Sequence, residues 1–306
     1  MIKLIATVES LAQAHAILPY VDCIYFGEET YGLRLPNSFT RDEQKQLIEM
    51  AHVQEKQVLI AVNGIMHPEK MAQIPEYLTF LVEQKADQIT LGDPGIIYLM
   101  RKQPALTLPF VYDGETMVTS ARQINFWGRK GAKAAVLARE VPFKEMQTMA
   151  TTLKIPVEVL VYGATCIHQS KRPLLQNYYR FTKQDEGIDR QQGLFLSEPK
   201  KPETHYSIFE DQHGTHIFAN HDIALTGELR DLAQASYDTW KLDGIYTPGE
   251  AFVEIVKAYD QARKQIEQGE FAEEEAQMLE QIIRAHHPKE RTLDQGFFHL
   301  EPDAIK

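Results

Sequence analysis

The sequence predicts an α/β fold, a (β/α)8 barrel of the TIM type with an insertion after its seventh strand. Two observations predict it. Short runs rich in Val and Ile alternate with longer stretches of helical periodicity through residues 3–162, and a further unit follows residue 238. The short runs are nearly continuous in apolar character, as in parallel strands covered on both faces. Eight such units are the number that closes a barrel. A doubly wound open sheet is the competing arrangement.

Taken in order, strands are expected near 3–8, 23–26, 58–63, 88–91, 107–112, 134–138 and 157–162. Helices are expected near 10–17, 40–55, 68–84, 94–102, 119–130 and 142–153. Thr40 ahead of Asp42 and Glu43 reads as a helix start, and Pro68, Pro94 and Pro142 each sit near a first turn. The alternation breaks at about 165–238, where polar residues and tyrosines surround a hairpin-like stretch, 205–220, turning near Gln212-His213-Gly214. An eighth strand fits 241–246, and Thr247-Pro248 open a helix to about Gln268. Residues 265–280 hold six glutamates and no Lys or Arg, a solvated helix face. The expected organisation is one barrel over 1–306, with the insertion at about 165–238 and a helical extension over 265–306.

The chain has 306 residues, of which 43% are apolar and 25% charged, a globular balance. Its net charge of −11 argues against a broad nucleic-acid-binding face. Within 168–202, however, seven basic residues face four acidic ones (Asp185, Glu186, Asp189 and Glu198), with Tyr178, Tyr179 and Phe181 between them. Arginines beside aromatics can hold phosphate and stack bases, so local RNA contact is one expectation and a solvated loop the other. The two cysteines, Cys23 and Cys166, exclude a disulfide framework and an all-cysteine metal site. The opening apolar run, 4–8, is interrupted by Thr7 and ended by Glu9, too short for a secretory core. No stretch approaches the ~18 apolar residues of a membrane span. The expected setting is a reducing cytoplasm with no membrane partner.

Dinucleotide, P-loop, zincin and serine-hydrolase motifs are absent. In a barrel, chemistry sits where strands end at the C-terminal face. Those positions here are Glu9, Glu28, Glu29, Asn63, Asp93, Asp113, Glu115, Arg139, Glu140, Cys166 and Asp243. Cys166, read as following the seventh strand, would gain acidity from a helix N-terminus and from nearby His168, Lys171 and Arg172. A small buried residue is the alternative. Cys23 reads as core. His213, His216 and His221 could meet across a hairpin, but on an exposed turn without an activating carboxylate they read as surface, as does His286-His287. No nucleophile–base–orienter set is visible beyond Cys166 and His168.

The segment Glu158-Val-Leu-Val-Tyr-Gly163-Ala-Thr-Cys166 resembles the signature of the collagenase-like peptidases, number thirty-two among the peptidase families of unknown type. Asp22-Cys-Ile-Tyr-Phe-Gly27, Leu137-Ala-Arg139-Glu140, Lys241-Leu-Asp243-Gly244, Tyr259 and Gln295-Gly296-Phe297 fit the same pattern in order over nearly the whole chain. The resemblance implies a barrel-like catalytic region and either of two activities. One is proteolysis, with collagen as a substrate of some members. The other is hydroxylation of RNA or ubiquinone by members that hold an iron–sulfur cluster on four cysteines. The nearest resemblance is to the short form of Firmicute-type bacteria. There, a chain of this length accompanies a longer, cluster-bearing paralogue in making 5-hydroxyuridine at the tRNA wobble position, with prephenate as co-substrate.

This sequence departs from the signature: Ser170-Lys-Arg-Pro173 stands where the family has Ser-Gly-x-Cys, and no cysteine follows Cys166. The expectation is therefore a subunit without a cluster or metal of its own. Arg34, Arg139, Lys171, Arg172 and Lys241 would hold an anionic co-substrate or RNA phosphate, and Glu140, Cys166 and Asp243 would be the catalytic or orienting groups. A peptidase and a ligand-binding scaffold without turnover are the alternatives.

Overall fold

The computed structural model describes residues 1–184 and 186–304. Asp185, counted in the charge of the inserted segment, and Ile305 and Lys306, at the end of the expected extension, lie outside the described residues. Seven parallel strands follow one another: β1 (Lys3–Thr7), β2 (Cys23–Phe26), β3 (Gln57–Ala61), β4 (Gln88–Leu91), β5 (Phe110–Tyr112), β6 (Ala134–Val136) and β7 (Val157–Ser170). Between them run α1 (Leu11–Ile17), α2 (Arg41–Val53), α3 (Pro68–Glu83), α4 (Pro94–Lys102), α5 (Ala121–Arg129) and α6 (Phe143–Ala150). After β7 come α7 (Leu174–Thr182), β8 (Phe195–Glu198), β9 (Lys201–Asp211), β10 (Gly214–Ala224) and α8 (Leu229–Gln234). The eighth stave, β11 (Thr239–Leu242), pairs in parallel with both β7 and β1, Lys3 opposite Thr239 and Glu158 opposite Thr239 on the other side. That double pairing closes the barrel and excludes the open sheet. α9 (Gly249–Gln268), α10 (Glu273–His286) and β12 (Thr292–Asp294) complete the chain.

The period of two along each strand explains the continuous apolar runs. Leu4, Ala6, Ile24, Phe26, Val58 and Ile60 point outward into the layer shared with the helices. Ile5, Cys23, Tyr25, Leu59, Ala61 and Val111 fill the barrel interior. Helix starts are where the sequence places them. Thr40 and Glu43 form a reciprocal capping box, Ser10 and Asp93 accept from the first turns of α1 and α4, and Pro68 and Pro94 occupy early positions.

The hairpin is present, with β9 and β10 running antiparallel through Gly214↔Asp211. Four expectations are corrected. β7 does not stop at residue 162 but runs on to Ser170, because its polar second half pairs antiparallel with β10. The eighth strand starts at Thr239 and ends at Leu242; Gly244 leaves the sheet with its N–H on Thr7 Oγ1 at 2.8 Å. The extension is not wholly helical, since β12 pairs with β10. It is fastened there by Arg291, whose Nε and Nη2 donate to the two oxygens of buried Asp222 at 2.8 and 2.5 Å. His287 belongs to this buried joint, its Nδ1 2.8 Å from the Tyr162 hydroxyl, rather than to the surface. Among the described residues, no helix is long and apolar enough to cross a membrane.

Candidate functional site

A cleft of about 750 Å³, its open mouth included, lies at the C-terminal ends of the barrel strands. Its lining gathers Arg34, Asp113, Glu115, Arg139, Glu140, Glu158, Cys166, Lys241 and Asp243. Six of the eight predicted site residues therefore meet: Arg34, Arg139, Glu140, Cys166, Lys241 and Asp243. They come from the segments after β2 and β6 and from β7 and the β11 end. Lys241 is interior because its neighbours Trp240 and Leu242 point outward, and Glu158 is interior for the same reason between Val157 and Val159. Lys241 Nζ stands 3.4 Å from a Glu158 oxygen and 3.6 Å above the centre of the Tyr25 ring. Burial pushes its ionisation down, but Glu158 and the other nearby acidic groups outweigh this and hold it above the ordinary amine value.

Higher in the mouth, Arg34 forms an ion pair with Glu115 and donates from Nη1 to Gln169 Oε1 at 2.8 Å. Both members of this pair have left-handed backbones, φ 51° at Arg34 and 54° at Glu115. For residues with side chains that conformation costs about 1–2 kcal/mol each, and here it aims two charged groups at the same opening. Asp113 accepts from Asn63 Nδ2 at 3.0 Å and from the Glu115 N–H at 3.1 Å. Burial, and then the Glu115 charge, raise its carboxyl above the usual range, whereas Arg34 and Arg139 outweigh burial and lower that of Glu115. Arg139 donates from Nη1 to the Ala164 carbonyl at 2.7 Å and, among the described residues, makes no ion pair. It is the cation of the cleft whose remaining N–H groups are left for a ligand.

Cys166 lies inside β7, not at a helix N-terminus, so a helix dipole plays no part in its acidity. Lys171 and Arg172 do not line the cleft. The extra length of β7 carries them past the mouth to the hairpin turn, where Lys171 Nζ donates to the Gln212 carbonyl at 2.5 Å. Of the other strand-end positions, Glu9 accepts from the Gly249 N–H at 2.6 Å and Asp93 caps α4, so both are structural. Glu28 pairs with Arg41, and Glu29 accepts from His213 through its backbone carbonyl at 2.6 Å. Arg190, one of the seven basic residues, spends its guanidinium on the Leu35 and Pro36 carbonyls.

Sequence reasoning missed Glu158 as a site residue, although one charged residue in the run Val157-Glu158-Val159-Leu160-Val161 was a usable signal. It also placed His213 and His216 wrongly, while His221 is exposed as expected. His213 and His216 are buried against the inserted sheet, and His216 Nε2 stands 2.9 Å from Asp211 Oδ1. Cys166 and His216 both pack around Phe209, and His216 is held by Asp211, a grouping that was not expected. The contacts were hidden because they depend on the register of β7 against β10. The Cys166 thiol donates to the His168 carbonyl at 3.3 Å. His216 and the charge of Arg34 outweigh the effect of burial and lower that thiol below its ordinary value. Among the described residues, no group of three or more His, Cys, Asp or Glu side chains could hold a metal ion.

His216 and Asp211 give a pH signature. Burial alone would raise Asp211, but His216 lowers it further, so its contribution is complete above about pH 3.9 and is lost as pH falls through its lower folded value. Burial lowers His216, and Asp211 more than restores it, so that contribution is complete below about pH 6.5 and is lost as pH rises through its higher folded value. Asp211→Asn is expected to cost about 1.5–3 kcal/mol between those limits. Urea unfolding across pH checks it, and an equal loss at every pH would count against the ion pair.

These features define a (β/α)8-barrel protein with a charged cleft at its strand ends. The chain belongs to peptidase family U32, whose family model matches residues 8–306. It is 35% identical over 279 residues to tRNA hydroxylation protein P2 of Bacillus subtilis (strain 168), covering 90% of each chain. With tRNA hydroxylation protein P of Escherichia coli (strain K12) it shares 23% identity over 73% of this chain, spanning 59% of that longer protein. The solved structure of the U32 peptidase Mk0906 shares the fold, with a TM-score of 0.52, 13% identity, and coverage of 79% of this chain and 92% of that one.

Proposed function

We propose that this chain serves the hydroxylation of tRNA by holding a carboxylate-bearing co-substrate in the strand-end cleft, while a longer, cluster-bearing paralogue carries the iron–sulfur chemistry. The observation that carries this reading is the unpaired guanidinium of Arg139, set among Asp113, Glu140 and Asp243 in a chain 35% identical to a tRNA hydroxylation protein. Arg139 suits a carboxylate in bidentate fashion, and the surrounding carboxylates suit hydroxyl donors. A small hydroxylated dicarboxylate such as prephenate has both. The residues of this chain do not fit a four-iron cluster, because Cys23 is shut inside β2 and Cys166 has no second thiolate near it. In this reading the cluster belongs to the partner.

The test is mass spectrometry of tRNA nucleosides from a strain lacking this gene. Hydroxylated uridine is expected to fall and to return with the wild-type chain. Arg139→Gln is expected to restore less than about a tenth of it, the loss that one charge-assisted pair of ~1.5–3 kcal/mol implies. Unchanged hydroxylation in the deletion strain would overturn the reading.

A further inference from the structure

β7 and β10 pair with Cys166 opposite Phe218, and the register breaks between Ile217 and Phe218. Cys166 packs against Phe209 and Phe218, and the fully buried His216 ring stands 4.9 Å from that of Phe209, on the same side of the paired strands. The Cys166 thiol rests on the His168 carbonyl, to which it donates at 3.3 Å. Asp211 holds one edge of the imidazole, accepting from Nε2 at 2.9 Å, and is itself fixed by the His213 N–H at 2.7 Å. The other ring nitrogen, Nδ1, is buried and, among the described residues, has no hydrogen-bond partner. A carboxylate on Nε2 fixes the proton there and leaves the Nδ1 lone pair to accept another. Cys166 is only partly buried and lines the charged cleft. The groups acting on its sulfur are His216 from β10, Arg34 from the segment after β2, which favours the thiolate, and Glu115 from the segment after β5, which opposes it.

We propose that Cys166, His216 and Asp211 form a nucleophile, base and orienter that add sulfur to an electrophilic carbon of a carboxylate-bearing small molecule in the cleft. The proposal rests on the carboxylate-holding cleft of the preceding section, but not on the tRNA role. In the step, the Cys166 thiol turns from the His168 carbonyl and its proton passes to His216 Nδ1. The sulfur lone pair forms a bond to the β carbon of a conjugated unsaturated carboxylate, and the carbon–carbon π pair moves toward the carboxylate at Arg139. The imidazolium then gives its proton to the α carbon. Nothing is oxidised or reduced, and Asp211 carries the charge of the imidazolium while it lasts.

Alkylation of the full chain by iodoacetate and iodoacetamide, followed residue by residue by peptide mass spectrometry, tests this. In that reaction the sulfur–carbon bond forms as iodide leaves. Cys23, whose thiol burial pushes up to about 12, is the internal control. At about pH 6.5, Cys166 is expected to react about tenfold faster than in His216→Gln, the change in thiolate fraction that one pKa unit brings. Asp211→Asn is expected to fall between the two. Iodoacetate is expected to gain on iodoacetamide at Cys166, and Arg139→Gln to lower the ratio of the two rates. If His216→Gln does not fold, the Asp211→Asn rate and the reagent ratio of the wild type decide. Equal Cys166 rates in wild type and the folded variants, or a Cys166 as slow as Cys23, would overturn the proposal. A loss of tRNA hydroxylation in the deletion strain would stand regardless, so the two readings fail separately.

Discussion

Lys241→Met is expected to lower the free energy of unfolding by about 3–5 kcal/mol at neutral pH, the cost of stranding a buried charge. The charge is Glu158, 1% exposed, with neither carboxylate oxygen accepting a hydrogen bond. The ammonium 3.4 Å away is what offsets its burial. The contribution is complete below the ordinary lysine value of about 10.4 and is lost only as pH rises through the higher folded value, so the defect is expected to be flat around neutrality. Removing both charges, in Lys241→Met with Glu158→Leu, is expected to recover most of the loss, because the pair itself adds little over a packed apolar contact. Urea unfolding of the wild type and the two variants decides. A single variant within about 0.5 kcal/mol of the wild type, the range of an ordinary surface change, would show that the Lys241 ammonium does not offset a buried charge in the barrel.

Gly163→Ala is expected to be as damaging, at about 2–5 kcal/mol from crowding and backbone strain together. Gly163 has φ +131°, and a Cβ there would stand 2.6 Å from the Asp243 carbonyl oxygen and 2.8 Å from its Cβ. This is the crossing where β7 leaves the barrel alongside β11, so relief requires moving Asp243 and with it one wall of the cleft. Gly227→Ala, with no atom within 4 Å of an added Cβ, is the matching control and is expected to stay within about 0.5 kcal/mol of wild type. Equal melting behaviour of the two variants would sink the argument.

The barrel was legible because its information is local. Runs such as Val58-Leu59-Ile60 and the caps at Thr40 and Asp93 each declare their own element without reference to the rest of the chain. The cleft was legible in part for the same reason, since Arg139, Glu140 and Asp243 are polar residues immediately past apolar strands. What was not legible depends on pairing across distance. Nothing in Thr165-Cys166-Ile167-His168 says that this stretch is a strand; only β10, some fifty positions later, makes it one. Reading β7 as finished at 162 moved Lys171 and Arg172 into the mouth, and hid His216 and Asp211, whose partners lie on or beside the neighbouring strand. The Glu158–Lys241 pair was a different failure: Lys241 was read into the mouth, but its partner Glu158 was missed. Each is a lone charge between apolar neighbours, a pattern that marks an interior pair once both are read together.

The closure of the barrel also has a consequence for how the protein is made. β1 emerges first from the ribosome and forms one side of its sheet with β2 as soon as that strand follows. Its other side has no partner until Thr239–Leu242 is synthesised. At about 5–20 residues per second that interval is on the order of 10–50 s. Throughout it, the backbone of Lys3–Ala6 is an open strand edge in an apolar segment, the kind of surface that templates pairing between chains. Nascent molecules on one messenger are therefore most exposed to one another before β11 appears, and the insertion lengthens that period by every residue it adds.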